Sequence, residues 1–123
     1  MEGQVNEEEE KEIDEEEGQL AVDVYQDDQS IYILAPIAGV RSSDIDISIT
    51  DEVVTIRGER QPGHDIPEDK HYTKECYWGT FSRSYVMPVT VDSDKAKATL
   101  KDGLLKIVIP KDKKYTTKSI PVE

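Results

Sequence analysis

From Gly18 onward, apolar side chains recur at every second position, the period of a strand with one face on a core. Leu20, Val22 and Val24 alternate with Ala21, Asp23 and Tyr25. A turn at Gln26-Asp27-Asp28-Gln29 leads into the β-rich run Ile31-Tyr32-Ile33-Leu34. Ile45, Ile47 and Ile49 alternate strictly with Asp44, Asp46 and Ser48, the mark of a half-buried strand. Asp51-Glu52 turns the chain into Val53-Val54-Thr55-Ile56-Arg57. Residues 61–74 hold Pro62, Gly63 and Pro67 among charges and read as a long loop. Phe81, Arg83, Tyr85 and Met87 share one face of the next strand, which Pro88 ends. Ala96, Ala98 and Leu100 alternate with lysines and a threonine, and Asp102-Gly103 is a strong hairpin signal before residues 104–109. Short strands with turns roughly every 8–12 residues, and no convincing amphipathic helix, predict an antiparallel β-sandwich.

The first 17 residues break this pattern. They hold ten acids and one base, Lys11, for nine net negative charges. Their only apolar residues are Met1, Val5 and Ile13, too few to bury against anything. Like charges at this density keep a chain extended, so residues 1–17 are expected to be a disordered acidic tail. It serves either solubility or docking to a basic partner. The other 106 residues carry only three net negative charges of the chain's −12.

Length and composition narrow the function. A chain of 123 residues has room for one domain and its extensions. No run approaches the ~18 apolar residues of a membrane span, and the N-terminus lacks a signal-peptide pattern. One cysteine, Cys76, has no partner for an internal disulfide. These features together predict a cytoplasmic protein without a membrane partner. The acidic balance argues against nucleic acid as a partner, because phosphate binding relies on Lys and Arg.

Motifs for catalysis are missing. There is no P-loop pattern, no dinucleotide fingerprint and no nucleophile elbow, so neither an enzyme nor a cofactor is expected. His64, Asp65, Asp69 and His71 cluster in the long loop, but their spacing matches no zinc pattern and solvated turn residues explain them equally well. Cys76 and His71 can be drawn as nucleophile and base, yet nothing supplies a third, orienting group.

Three segments exceed what a bland sandwich requires: residues 98–111, from Ala98 through Asp102-Gly103-Leu104-Leu105 to Pro110-Lys111; residues 75–88, around Gly79-Thr80-Phe81-Ser82-Arg83 and Met87-Pro88; and the terminal Ile120-Pro121-Val122-Glu123. At these residues the chain resembles the small heat-shock proteins, bacterial and plant branch, and their α-crystallin domain. The first is similar to the family's A-x-x-x-[ND]-G-[VL]-L signature, the second to its G-x-F-x-R-x-x-x-[LM]-P strand, and the third to its I-x-[IV] motif. Ile37-Ala38-Gly39-Val40 with Asp44-Ile45 resembles its P-G-V…D-I stretch. The resemblance spans residues 19–123. It implies an α-crystallin domain at 18–111 and a C-terminal extension at 112–123, preceded by the acidic tail that the charge pattern marks at 1–17. The domain would be an immunoglobulin-like antiparallel β-sandwich of about seven to nine strands.

The resemblance also implies an ATP-independent holdase that binds partly unfolded proteins, built from homodimers that can form higher oligomers. The loop at 61–74, with Tyr72, would cross to a partner's edge strand at Leu20, Val22 and Val24. A plain hairpin connection is the other reading of that loop. Arg83 would tie the dimer together; otherwise it makes an ordinary ion pair within its own sheet. Ile120, Pro121 and Val122 would dock in a neighbour's groove, lined by Ile45, Ile47 and Ile49 on one side and Ala96, Ala98 and Leu100 on the other. The other reading lays that chain end on its own domain.

Three departures stand out. Ala38 replaces a common proline and Cys76 a common arginine. The acidic tail stands where the family carries a longer apolar arm, which predicts smaller assemblies. A co-chaperone adaptor of the CS-domain kind, binding a folded partner, shares such a sandwich and often an acidic tail. It generally lacks the crossing loop and the terminal motif.

Overall fold

A computed structural model describes residues 17–112 and 119–123. The expectation of disorder for residues 1–16 lies outside the described residues, as do residues 113–118 of the C-terminal extension. Eight strands form: β1 (Gly18–Gln19), β2 (Asp23–Gln26), β3 (Ser30–Pro36), β4 (Ile45–Ile49), β5 (Val53–Arg60), β6 (Gly79–Val86), β7 (Lys97–Lys101) and β8 (Leu104–Pro110). Short 3-10 turns at Ser42–Asp44, Glu68–Lys70 and Ser93–Lys95 punctuate the connections.

The strands make two four-stranded sheets, ordered β1-β6-β5-β4 and β2-β3-β8-β7, packed as a sandwich. Neighbours pair antiparallel except β1, which runs parallel to β6 with Gly18 opposite Phe81. The alternation read from the sequence sets the faces. Val54, Ile56 and Phe81 from the first sheet meet Ile31, Ile33, Ala35, Leu105, Ile107 and Ile109 from the second, all nearly inaccessible. Burying each such aliphatic side chain stabilises the fold by roughly 1.5–3 kcal/mol before entropy costs, so this two-faced cluster defines the domain. Asp102 and Gly103 both adopt positive φ (52° and 77°), as a two-residue hairpin turn requires, and bring β7 against β8.

The structure departs from the sequence reading in three places. The expected strand from Leu20 to Val24 is broken: the chain leaves one sheet after β1 and enters the other at β2. Leu20, 8 % exposed, plugs the core at this crossing. The long loop extends to residue 78, where Tyr77 fastens the chain through its hydroxyl. That hydroxyl accepts from the Gly18 backbone N–H (3.0 Å) and donates to the Thr80 carbonyl. Ala96 lies just outside β7, closing the Ser93–Lys95 turn.

Candidate functional site

The two flanks of the sandwich differ, and the difference creates the candidate surfaces. Only residues 20–22 separate β1, the edge of one sheet, from β2, the edge of the other. These edges therefore share a flank, and β4 and β7 share the opposite one. A hydrogen bond fixes that second pairing: Ser93 Oγ, ahead of β7, donates to Asp51 Oδ1, just past β4, at 2.8 Å.

The β1/β2 flank is closed by the crossing chain and Leu20. Arg83 sits here. Its place opposite Ile56 puts it in an inward-facing row, since paired residues of antiparallel strands share a face. Half-buried, its guanidinium Nη1 donates to the Leu20 carbonyl at 3.2 Å, and among the described residues it has no carboxylate partner. A guanidinium has five donors, so one neutral acceptor leaves capacity unused. The intrachain ion pair considered for Arg83 does not form among the described residues. Val22 and Val24 are half-buried against their own core rather than projecting outward. What β2 presents to the outside is its backbone edge, the unpaired donors and acceptors of a terminal strand.

The β4/β7 flank is open. Ile45, Ile47 and Ile49 belong to inward rows with Gly58, Ile56 and Val54, yet each remains half-exposed. On the other wall, Ala98 shares a row with Ile107 and Ile33, which are 0 % and 1 % exposed, while Ala98 itself is exposed. Ala96 and Leu100 are half-buried on the same wall. An inward-facing alanine in contact with water means that nothing fills the gap beside it. The six residues expected to line a groove are thus brought to one flank.

The remaining candidates are in the C-terminal segment and the long loop. Ile120 and Val122 are 82 % and 98 % exposed, so the terminal tripeptide is not seated on its own domain. Tyr72 is fully exposed in the long loop, whose one regular feature among the described residues is the Glu68–Lys70 turn. There Lys74 Nζ meets Glu68 Oε1 at 3.0 Å and holds that carboxyl below its ordinary value through the hydrogen bond and its charge. The Nδ1 atoms of His64 and His71 lie 3.1 Å from the Pro62 and Pro67 carbonyls, as turn residues do. Among the described residues no three His, Cys, Asp or Glu side chains gather to hold a metal, and no helix is long and apolar enough to cross a membrane. Two features escaped the sequence reading, the Tyr77 clamp and the row of outward lysines on β7 and β8. The lysines had a signal, their alternation with Ala96, Ala98 and Leu100; the clamp had none.

The sequence model of the Hsp20/alpha crystallin family matches residues 23–123, and the chain belongs to that family, the small heat-shock proteins. Small heat shock protein C4 of Rickettsia felis is 31 % identical over 100 residues, 81 % of this chain and 61 % of that one. In fold, the chain is similar to a small heat-shock protein from Xylella fastidiosa, at TM-score 0.70 and 26 % identity over 85 % of this chain and 95 % of that one. Heat shock protein 16.0 from Schizosaccharomyces pombe gives 0.69 and 26 % over 87 % and 77 %. The chain spans 60 to 66 % of the length of three curated relatives that it matches.

Proposed function

We propose that this chain is an ATP-independent holdase that captures partly unfolded proteins and assembles from dimers. The observation that carries the reading is the open apolar flank between β4 and β7, in a chain whose own apolar terminus stands away from it. The flank offers half-exposed isoleucines opposite small alanines, and Ile120-Pro121-Val122 supplies two apolar knobs. Proline keeps the tripeptide extended, which lets Ile120 and Val122 project to the same side. Seating each is worth roughly 1.5–3 kcal/mol before ordering costs, enough for a reversible link between subunits. Release of that link exposes the flank to clients.

Dimerisation joins the backbone edge of β2 to the long loop of a partner, with Tyr72 carried on that loop. Such pairing covers an edge that otherwise invites aggregation. Arg83, with donors to spare at the same flank, takes acceptors from the arriving loop. Replacing it (Arg83→Gly) loosens the dimer, and an unchanged dimer mass for the variant by sedimentation would overturn that role.

The function itself is tested by light scattering from a heated, aggregation-prone client without ATP. Suppression near one subunit or one dimer per client is expected. No suppression at large excess, with the protein running as a monomer, would favour an adaptor for a folded partner instead.

A further inference from the structure

The outer faces of the two sheets are chemically unlike. On the first sheet, Asp46 lies in one row with Arg57 and Ser82, the next row toward one end is Ser48, Thr55 and Ser84, and the row toward the other end is Glu59 with Thr80, so its outward strand rows hold two acids and one base. On the second sheet, Lys97, Lys101 and Lys106 all point outward and are exposed, and none has an ion-pair partner among the described residues. Between them run Tyr32, Leu34 and Val108, half-buried on the outward side. Lys106 Nζ rests over the Tyr32 ring, 5.6 Å from its centroid. The row of Leu34 and Lys106 ends on β2 at exposed Asp23, the one acid in the outward strand rows of this sheet, so the face offers three ammonium groups against one carboxylate, on an apolar floor.

We propose that the N-terminal segment, residues 1–16, docks in cis across this face, its carboxylates on Lys97, Lys101 and Lys106. The segment carries nine acids and one base, the densest negative charge in the chain. It enters the domain at β1, on the flank that also holds β2, the first strand of the lysine-bearing sheet. From there β7 lies three strand spacings away, about 15 Å. Sixteen extended residues reach up to about 50 Å, so length does not limit the contact. The outer face of the first sheet, with Asp46 and Glu59 against Arg57, offers an acidic segment no such attraction, which gives the docking a direction. Because the attraction acts between exposed groups, it is screened as the Debye length contracts from about 30 Å at 0.01 M salt to about 3 Å at 1 M.

A zero-length carbodiimide, which joins a carboxylate to an amine only in contact, tests the proposal on the full chain. The protein is cross-linked as an equal mixture of 15N-labelled and unlabelled chains at low and high salt, then mapped by mass spectrometry. Expected are linkages from tail carboxylates to Lys97, Lys101 or Lys106, within chains of one isotope, present at about 0.01 M and lost at about 1 M salt. Equal yield at Lys70 and Lys74 of the loop, or at Lys113, Lys114 and Lys118, overturns the assignment of the face. Linkages of which about half join chains of different isotopes, the statistical share for contacts between chains, overturn docking in cis. Absence of tail linkages, or their survival at high salt, overturns the electrostatic contact itself.

Discussion

Gly58 shows how narrowly one position is determined. It sits between Ile45 and Phe81 in the first sheet, and a Cβ built there would lie 2.4 Å from Phe81 Cζ and 3.0 Å from the Asp44 carbonyl oxygen. The Phe81 ring is buried, so it has nowhere to retreat. Gly58→Ala is expected to cost about 1–3 kcal/mol, as overpacking does, read as a lowered midpoint in chemical unfolding. Asp27 is determined by hydrogen bonds instead. Its carboxylate accepts from the Tyr32 hydroxyl (2.7 Å) and from the backbone N–H groups of Gln29 and Ser30 (both 2.8 Å). The Tyr32 bond, then the two backbone bonds, hold its pKa below the ordinary aspartate value. A lowered folded-state pKa means stability that is complete above the ordinary value and is lost as pH falls through the lower one. The unfolding midpoint of the native chain should therefore exceed that of Asp27→Asn at pH 7, and the gap should close as pH falls below about 4.

At the scale of elements, the open flank makes an unusual claim about Ala98. A leucine at an inward-facing position of a filled sandwich would overpack it. Here Ala98 is exposed, so Ala98→Leu should leave domain stability within about 0.5 kcal/mol, as at a surface site. On the proposed docking, the same change fills the gap that the terminal tripeptide would occupy. It should shrink the assembly as far as Ile120→Ala with Val122→Ala does, measured by native mass. A large loss of domain stability would show the flank to be closed. The strands themselves were legible in period-two alternation, and the Asp102-Gly103 hairpin in its turn chemistry. The sheet switch at residues 20–22 was not legible, and the reason is geometric. Leu20 faces the shared core from one sheet and Val24 from the other, so the alternation runs through the crossing unchanged. Nor did alternation show that Ala98 meets water, because the pattern reports which way a side chain faces and not whether the space before it is filled.

For the whole molecule the governing quantity is charge, and most of it sits in residues 1–17. With nine net negative charges there on each subunit, every added subunit brings another like-charged segment toward its neighbours. That repulsion would oppose the apolar links proposed for the terminal tripeptide, which are individually weak and gain nothing from low ionic strength. Salt shifts the balance: it shortens the reach of the repulsion and slightly favours apolar burial. We expect the full chain to form small assemblies at about 0.01 M salt and larger ones near 1 M. A chain lacking residues 1–16 should be large at both. Sedimentation velocity at the two salt concentrations separates these outcomes, and a many-subunit shell of the full chain at low salt would remove the tail from the control of assembly. Loss of the salt response on deleting the tail, with the tripeptide intact, would place that control in the charge of the N-terminus.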